Sequence, residues 1–394
     1  MNNNNIKFKL FSLPSRQALL TAGILIFSLI IFIIAFLVVR PPKEELIPGE
    51  DFAEYDKGKV VDILSDDSFQ DQNSENSYRG SQLLLIEVTT GRYKGETLQV
   101  YNYVGPLYST PLKIGDPVVM IISTYADGTH LATIFEYDRA IPLIMVISLF
   151  VIAALLVGGK TGAKSLLTLL FTLATLLGIL IPALMKGAPT LLTVFFCCTY
   201  IAIVCLTVIG GLQTKSLGAM MGTISGTAIA LLFGYFSQTI LRIDGMRTEE
   251  AEALLQLKQM GIPIEIKGLL VAGVAISSLG AVMDVTMGIS SSIHEIFQAN
   301  PALSKKELFR SGMNVGKDMV GTMTNTLVLA LLGSSFVLII YLYSLGLTFH
   351  QFISSTYLSI EVISSISSSI GVILSIPLTA AFTSLLLTNK NFSQ

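Results

Sequence analysis

Eight apolar runs dominate this chain: Leu19–Val39, Ala140–Val157, Ser165–Met185, Leu191–Gly211, Leu217–Leu241, Gly268–Ile289, Met319–Ser344 and Val362–Thr388. Each reaches or approaches the roughly 18–20 residues a helix needs to cross a bilayer. Hydrocarbon offers no water to backbone N–H and C=O groups, so runs of this kind must be helical. Composition agrees. The 394 residues are 52% hydrophobic and only 13% charged, against about 25% charged in soluble domains. The lipid bilayer is therefore the first partner. The net charge of −2 gives no basic field for nucleic acid.

In chain order, residues 1–18 form a short basic cytoplasmic tail. Residues 19–39 are an uncleaved transmembrane anchor, since the run exceeds the roughly 7–15 residues of a signal-peptide core. Residues 40–138 change character. Short runs rich in Val, Ile, Tyr and Thr appear at Lys59–Leu64, Leu83–Thr89, Thr97–Tyr103, Pro117–Thr124 and Leu131–Tyr137, with Ala126–Thr129 as a turn. This pattern predicts a small all-β, OB-like domain. The polar segment Ser65–Ser77 reads as a loop. Residues 139–394 hold about seven further helices. The expected fold is thus mainly α: anchor helix, small extracytoplasmic β domain, then a multi-pass bundle. Between Arg242 and Lys267, Thr248 can cap a surface helix that Gly261 and Pro263 stop.

Orientation follows the lysine and arginine bias. Alternating from an inner N-terminus, the inner segments hold Lys7, Lys9, Arg16, Lys160, Lys164, Lys215, Lys305, Lys306, Arg310, Lys317 and Lys390. The outer loops after the β domain hold Lys186, Arg242, Arg247, Lys258 and Lys267. Both termini are expected inside a cell membrane, with the β domain outside.

Two stripes carry the chemistry. Ser277, Ala281, Asp284, Gly288 and Ser291 share one face of a helix, by their i, i+4, i+7, i+11, i+14 spacing. Asn314, Asp318, Gly321 and Asn325 share a face of the next, with Thr322 and Thr326 nearby. At about 1.5 Å per residue, Asp284 and Asn325 are expected at similar depth on antiparallel neighbours. An ionisable residue in hydrocarbon is a functional candidate by default. A third stripe, Gly218, Gly222 and Gly226 with Ala230, is a packing face, because small residues four apart let helices approach closely.

Other features carry less. Gly158–Ser165 departs from the phosphate loop GxxxxGK[ST] at Ala163 and follows a transmembrane run rather than a strand, so it reads as a basic inner turn. His130, His294 and His350 lack metal-ligand spacing. Cys197, Cys198 and Cys205 read as packing thiols. No metal, cofactor or catalytic nucleophile–base pair is implied. Asp284 and Asp318 lack the Tyr-Asp and Gly-x-Gly-Asp pattern that intramembrane aspartyl proteases show.

Three segments resemble the YibE/F-like family of bacterial integral membrane proteins: Gly158–Phe171, Lys267–Glu295 with its GAVMDV block, and Ser311–Leu327 with GKDMVGTMTNT. The likeness spans Ala140 to Thr388. It implies a multi-pass cell-membrane protein and adds weight to Asp284, Asp318 and Asn325. It implies no substrate. The leading expectation is a permease or secondary transporter, not an enzyme, passing an ion or small polar solute along a polar seam between the sixth and seventh helices. The alternative is a scaffold or sensor that oligomerises, with itself or another chain, and whose β domain binds an extracytoplasmic protein or cell-wall component.

Overall fold

The computed structural model describes residues 16–39, 53–72, 77–106, 108–124, 130–243, 245 and 249–389. The tail as far as residue 15, residues 40–52, the turn Ala126–Thr129, Arg247, the cap Thr248 and Lys390 lie outside the described residues. The chain divides into one unit at Ile47–Val157 and another made of Met1–Leu46 with Gly158–Gln394.

The first unit holds an antiparallel, curled sheet: β1 Ala53–Asp66, β2 Phe69–Asp71, β3 Ser77–Val88, β4 Thr97–Val104, β5 Pro117–Thr124 and β6 His130–Tyr137. β1 lies between β3 and β5; β6 pairs β5, and β4 pairs β3. β4 and β6 are therefore edges, and the curl brings them towards each other. Period-two alternation fills the inside with Val60, Leu84, Ile86, Val88, Val100, Val118, Met120 and Ile122.

Ser65–Ser77 is not simply a loop. β1 runs on to Asp66, and Phe69–Asp71 pairs with β3 through Phe69 opposite Arg79 and Asp71 opposite Ser77. Two local interactions turn the chain there. Asp66 Oδ1 accepts from Ser68 N at 2.9 Å and Ser68 Oγ at 2.5 Å. The Arg79 side chain reaches Asp71 at 2.8 Å. Polar composition suggested a loop, but these side chains spend their polarity on a tight turn and a cross-strand ion pair.

The second unit is helical. It contains α1 Arg16–Val39 and the part of α2 (Ala140–Thr175) from Gly158 onward, followed by α3 Ile181–Met185, α4 Thr190–Gly210, α5 Thr214–Ile240 and α6 Glu249–Gln259. α7 Leu269–Ala299, α8 Lys305–Ser334, α9 Phe336–Ser344, α10 Phe349–Ile353 and α11 Thr356–Thr388 complete it. Five described helices are long and apolar enough to cross a membrane, or six if α8 and α9, bent by 61°, form one span. The runs Ala140–Val157 and Ser165–Met185, expected as two helices, form one continuous 46-residue stretch by this measure. Its one non-helical residue within α2 is Gly159, at φ 51° and ψ −126°. A π-turn at Leu176–Leu180 joins α2 to α3, where Pro182 brings no N–H to the helical ladder.

The centre of this unit is α5, α7 and α11. On α5, a Cβ at Gly226 would lie 2.8 Å from Val282 Cγ1 of α7 and 2.7 Å from Ser375 Cβ of α11. Gly222 faces Thr379 and Thr286, and Gly218 faces Thr383 and Ser290. Hydroxyls stitch the same seam. Thr223 and Thr286 share a 2.7 Å hydrogen bond, and Ser290 donates to the Lys215 carbonyl at 2.5 Å. The α11 residues Ser365, Ser367, Ser368, Ser369 and Ser375 are buried in this packing.

Candidate functional site

α7 presents its stripe to more than one neighbour. Asp284, Gly288 and Ser291 line an open cleft of about 580 Å³. The opposite walls are Ser165, Thr168 and Thr172 of α2 with Cys198, Ile201, Cys205 and Leu206 of α4. The remainder of the lining is apolar or small, including Met283 and Met287. Asp284 is the only charged residue in this lining. Its carboxyl is exposed within the cleft and takes part in no hydrogen bond or ion pair among the described residues.

The polar groups on the far walls are partly committed to their own backbones. Thr168 donates to the Ser165 carbonyl at 2.8 Å and Thr172 to the Thr168 carbonyl at 2.9 Å. Thr172 also lies 3.6 Å from Cys205 Sγ. Back-bonded hydroxyls keep spare lone pairs. The cleft therefore joins one fixed negative group to a few weak acceptors in apolar walls.

Of the remaining sequence candidates, only Gly288 borders the cleft. Ser277 is turned towards α11, with its Oγ 3.3 Å from Ser368 Oγ. Gly288 is where α7 and α8 meet, since a Cβ there would lie 3.2 Å from Met319 Cε. The α8 stripe of Asn314, Asp318, Gly321 and Asn325 is exposed, as is Thr322, whose hydroxyl bonds back to the Met319 carbonyl at 3.1 Å. The buried face of α8 is the other one, with Leu308, Gly312 and Gly316. None of the α8 stripe lines the Asp284 cleft. Asp284 thus meets α2 and α4 across the cleft rather than the polar face of α8. Gly218, Gly222 and Gly226 lie in the α5 seam described above.

Sequence reasoning missed the α2 wall. Ser165, Thr168 and Thr172 fall at i, i+3 and i+7, one helical face, and that spacing was the available signal. Among the described residues no group of three or more His, Cys, Asp or Glu could hold a metal ion.

Residues 146–389 match the family described as YibE/F-like protein. The chain belongs to that family. The match takes in every residue of the cleft and of the α8 stripe, while the six strands lie before it. No curated protein and no solved structure matches the chain.

Proposed function

We propose that this YibE/F-like protein is a permease that moves a proton or another small cation along the cleft between α2, α4 and α7. The observation that supports this reading is Asp284, a lone unpaired carboxyl in an otherwise uncharged cleft within membrane-length helices. A fixed negative charge there selects for positive cargo, and its cost in hydrocarbon is a reason to expect use. Small and polar residues near the middle of broken helices are what secondary transporters employ. The bend at Ser335 fits that pattern. The same reading takes seven spans after the β unit, one on each side of Gly159. It puts the protein in the cell membrane with both termini inside and the β unit, built as an OB-like barrel, outside.

The test is flux through purified protein in liposomes carrying a pH-sensitive dye, repeated with sodium and potassium gradients. Wild-type protein should dissipate at least one gradient. Asp284→Asn should abolish that flux while eluting as folded protein, because its carboxyl leaves no partner behind. Asp318→Asn, outside the cleft, should retain it. Wild-type flux through Asp284→Asn, or none through the wild type under all three gradients, would sink the reading.

A further inference from the structure

The described chain leaves the polar side of α8 uncovered. Leu308, Gly312 and Gly316 are buried on the other side, and Met319, Met323 and Leu327 pack with α7 and α11. That packing fixes the roll of the helix. Asn314, Lys317, Asp318, Thr322 and Asn325 are thereby left exposed. The side chains of Asn314, Lys317, Asp318 and Asn325 make no hydrogen bond or ion pair among the described residues. Asn325 lies about 10 Å along the helix from Asp318, within the apolar run Met319–Ser344. Other long helices behave differently. α4, α5 and α11 turn large apolar side chains outward, among them Leu192, Phe196, Leu232, Phe236, Ile366 and Leu374. Those faces suit lipid. The face of α8 does not, because an amide or a charge without a partner is costly in hydrocarbon.

Three observations bear on what covers it. The remaining apolar run of this chain, Ala140–Val157, cannot satisfy the stripe. Its one polar side chain is Ser148, whose hydroxyl bonds back to the Ile144 carbonyl at 2.7 Å. The stripe also matches itself. An asparagine amide both donates and accepts, so Asn325 can pair with its own copy. Lys317 and Asp318 are adjacent, so a two-fold axis along the membrane normal brings the lysine of each copy to the aspartate of the other. Depth is the third observation. Two copies inserted the same way run their α8 helices parallel, and each polar group then meets its equivalent at the same level. A different protein would have to reproduce this spacing.

We infer that two copies of this chain form a two-fold dimer through the polar face of α8. Asn325 hydrogen-bonds to its equivalent, and two Lys317–Asp318 ion pairs close the end nearer the basic residues. Contacts about a two-fold axis are self-complementary in this way, and an asparagine buried between helices fixes their register. Each copy keeps its own Asp284 cleft, so a negative transport assay leaves the dimer standing.

The test uses full-length protein with Cys197, Cys198 and Cys205 replaced by alanine. Gly321 lies on the stripe between Asp318 and Asn325, with open space around it. Oxidised in native membranes, Gly321→Cys should cross-link to twice the mass of the chain. Leu374→Cys and Leu385→Cys, exposed on α11, should not. Fluorophore-tagged protein in dilute liposomes should bleach in two steps. Asn325→Leu should weaken dimerisation roughly tenfold, and Asn325→Gln should preserve it. Lys317→Asp should weaken it too, and Lys317→Asp/Asp318→Lys should restore it. These side chains are exposed, so every variant should keep the helical circular dichroism of the parent protein. The inference is overturned if the parent protein bleaches in one step, or if the α11 cysteines cross-link as readily as Gly321→Cys. It is equally overturned if Gly321→Cys captures a different protein instead, if Asn325→Leu dimerises like the parent, or if the exchanged charges fail to restore pairing.

Discussion

Gly222 shows what a single residue decides in this bundle. Its missing side chain leaves the space that Thr379 and Thr286 occupy, and the hydroxyl of neighbouring Thr223 then reaches Thr286 at 2.7 Å. In hydrocarbon, close packing and interhelical hydrogen bonds replace the hydrophobic driving force. Leucine there has nowhere to go, and overpacking a tight core typically costs about 1–3 kcal/mol. Gly222→Leu should therefore lower the temperature at which the detergent-solubilised protein loses its monodisperse peak. Gly321 is the control, with nothing within 4 Å of a Cβ placed there. Gly321→Ala should leave that temperature unchanged or raise it, since alanine is the better helix former.

At the scale of the element, the circumference of α7 beyond its α5 seam goes to two packed clusters and the cleft. Val282, Val285, Ile289 and Ile293 pack into the cluster shared with α8 and α11. Ala272, Ala275 and Leu279 join the cluster shared with α4. Asp284, Gly288 and Ser291 are left to the cleft. Cysteine scanning reads this directly. The native Cys197, Cys198 and Cys205 are buried, so a water-borne thiol reagent should leave the folded wild type unmodified. Against an alanine-substituted background, cysteines at Asp284 and Ser291 should react and those at Val285 and Ile289 should stay silent. Uniform silence would mean a dry seam and would remove the support for transport. α8 is divided as sharply, with Leu308, Gly312 and Gly316 inside and Asn314, Asp318 and Asn325 outside. Its polar stripe is a surface of the described chain, not a wall of the cleft.

For the whole molecule, the proposed orientation has a direct check. In right-side-out membrane vesicles, a cysteine at Tyr103 should react with an impermeant reagent at once. One at Lys305 should react only after the vesicles are permeabilised. The reverse order would invert the assignment. The family match begins at residue 146 and ends at 389, so the six strands lie outside the matched region.

Much of this protein is decided by local pattern. Bilayer-length apolar runs force helices because lipid cannot satisfy a bare backbone, and α4, α5, α7 and α11 stand within a few residues of the runs read from the sequence, apart from α7's extension to Ala299 and α11's earlier start at Thr356. Five of the six strands follow from alternation and turn chemistry in the same way. The short β2 does not, because its pairing rests on the Asp66 turn and the Arg79–Asp71 contact rather than on its own three residues. The importance of Asp284 is likewise legible locally, since a carboxylate in an apolar run stands out against any background. What faces Asp284 is not. Two polar stripes on consecutive helices look like halves of one seam, yet the angle at which each helix turns its stripe depends on where its bulky residues find partners. Met319, Met323 and Leu327 pack with α7 and α11, which rolls the polar face of α8 outward. Asp284 then opens towards Thr168, Thr172 and Cys205, residues more than 75 positions away. Helical periodicity determines which residues share a face; only the packing of all the helices together decides which faces meet.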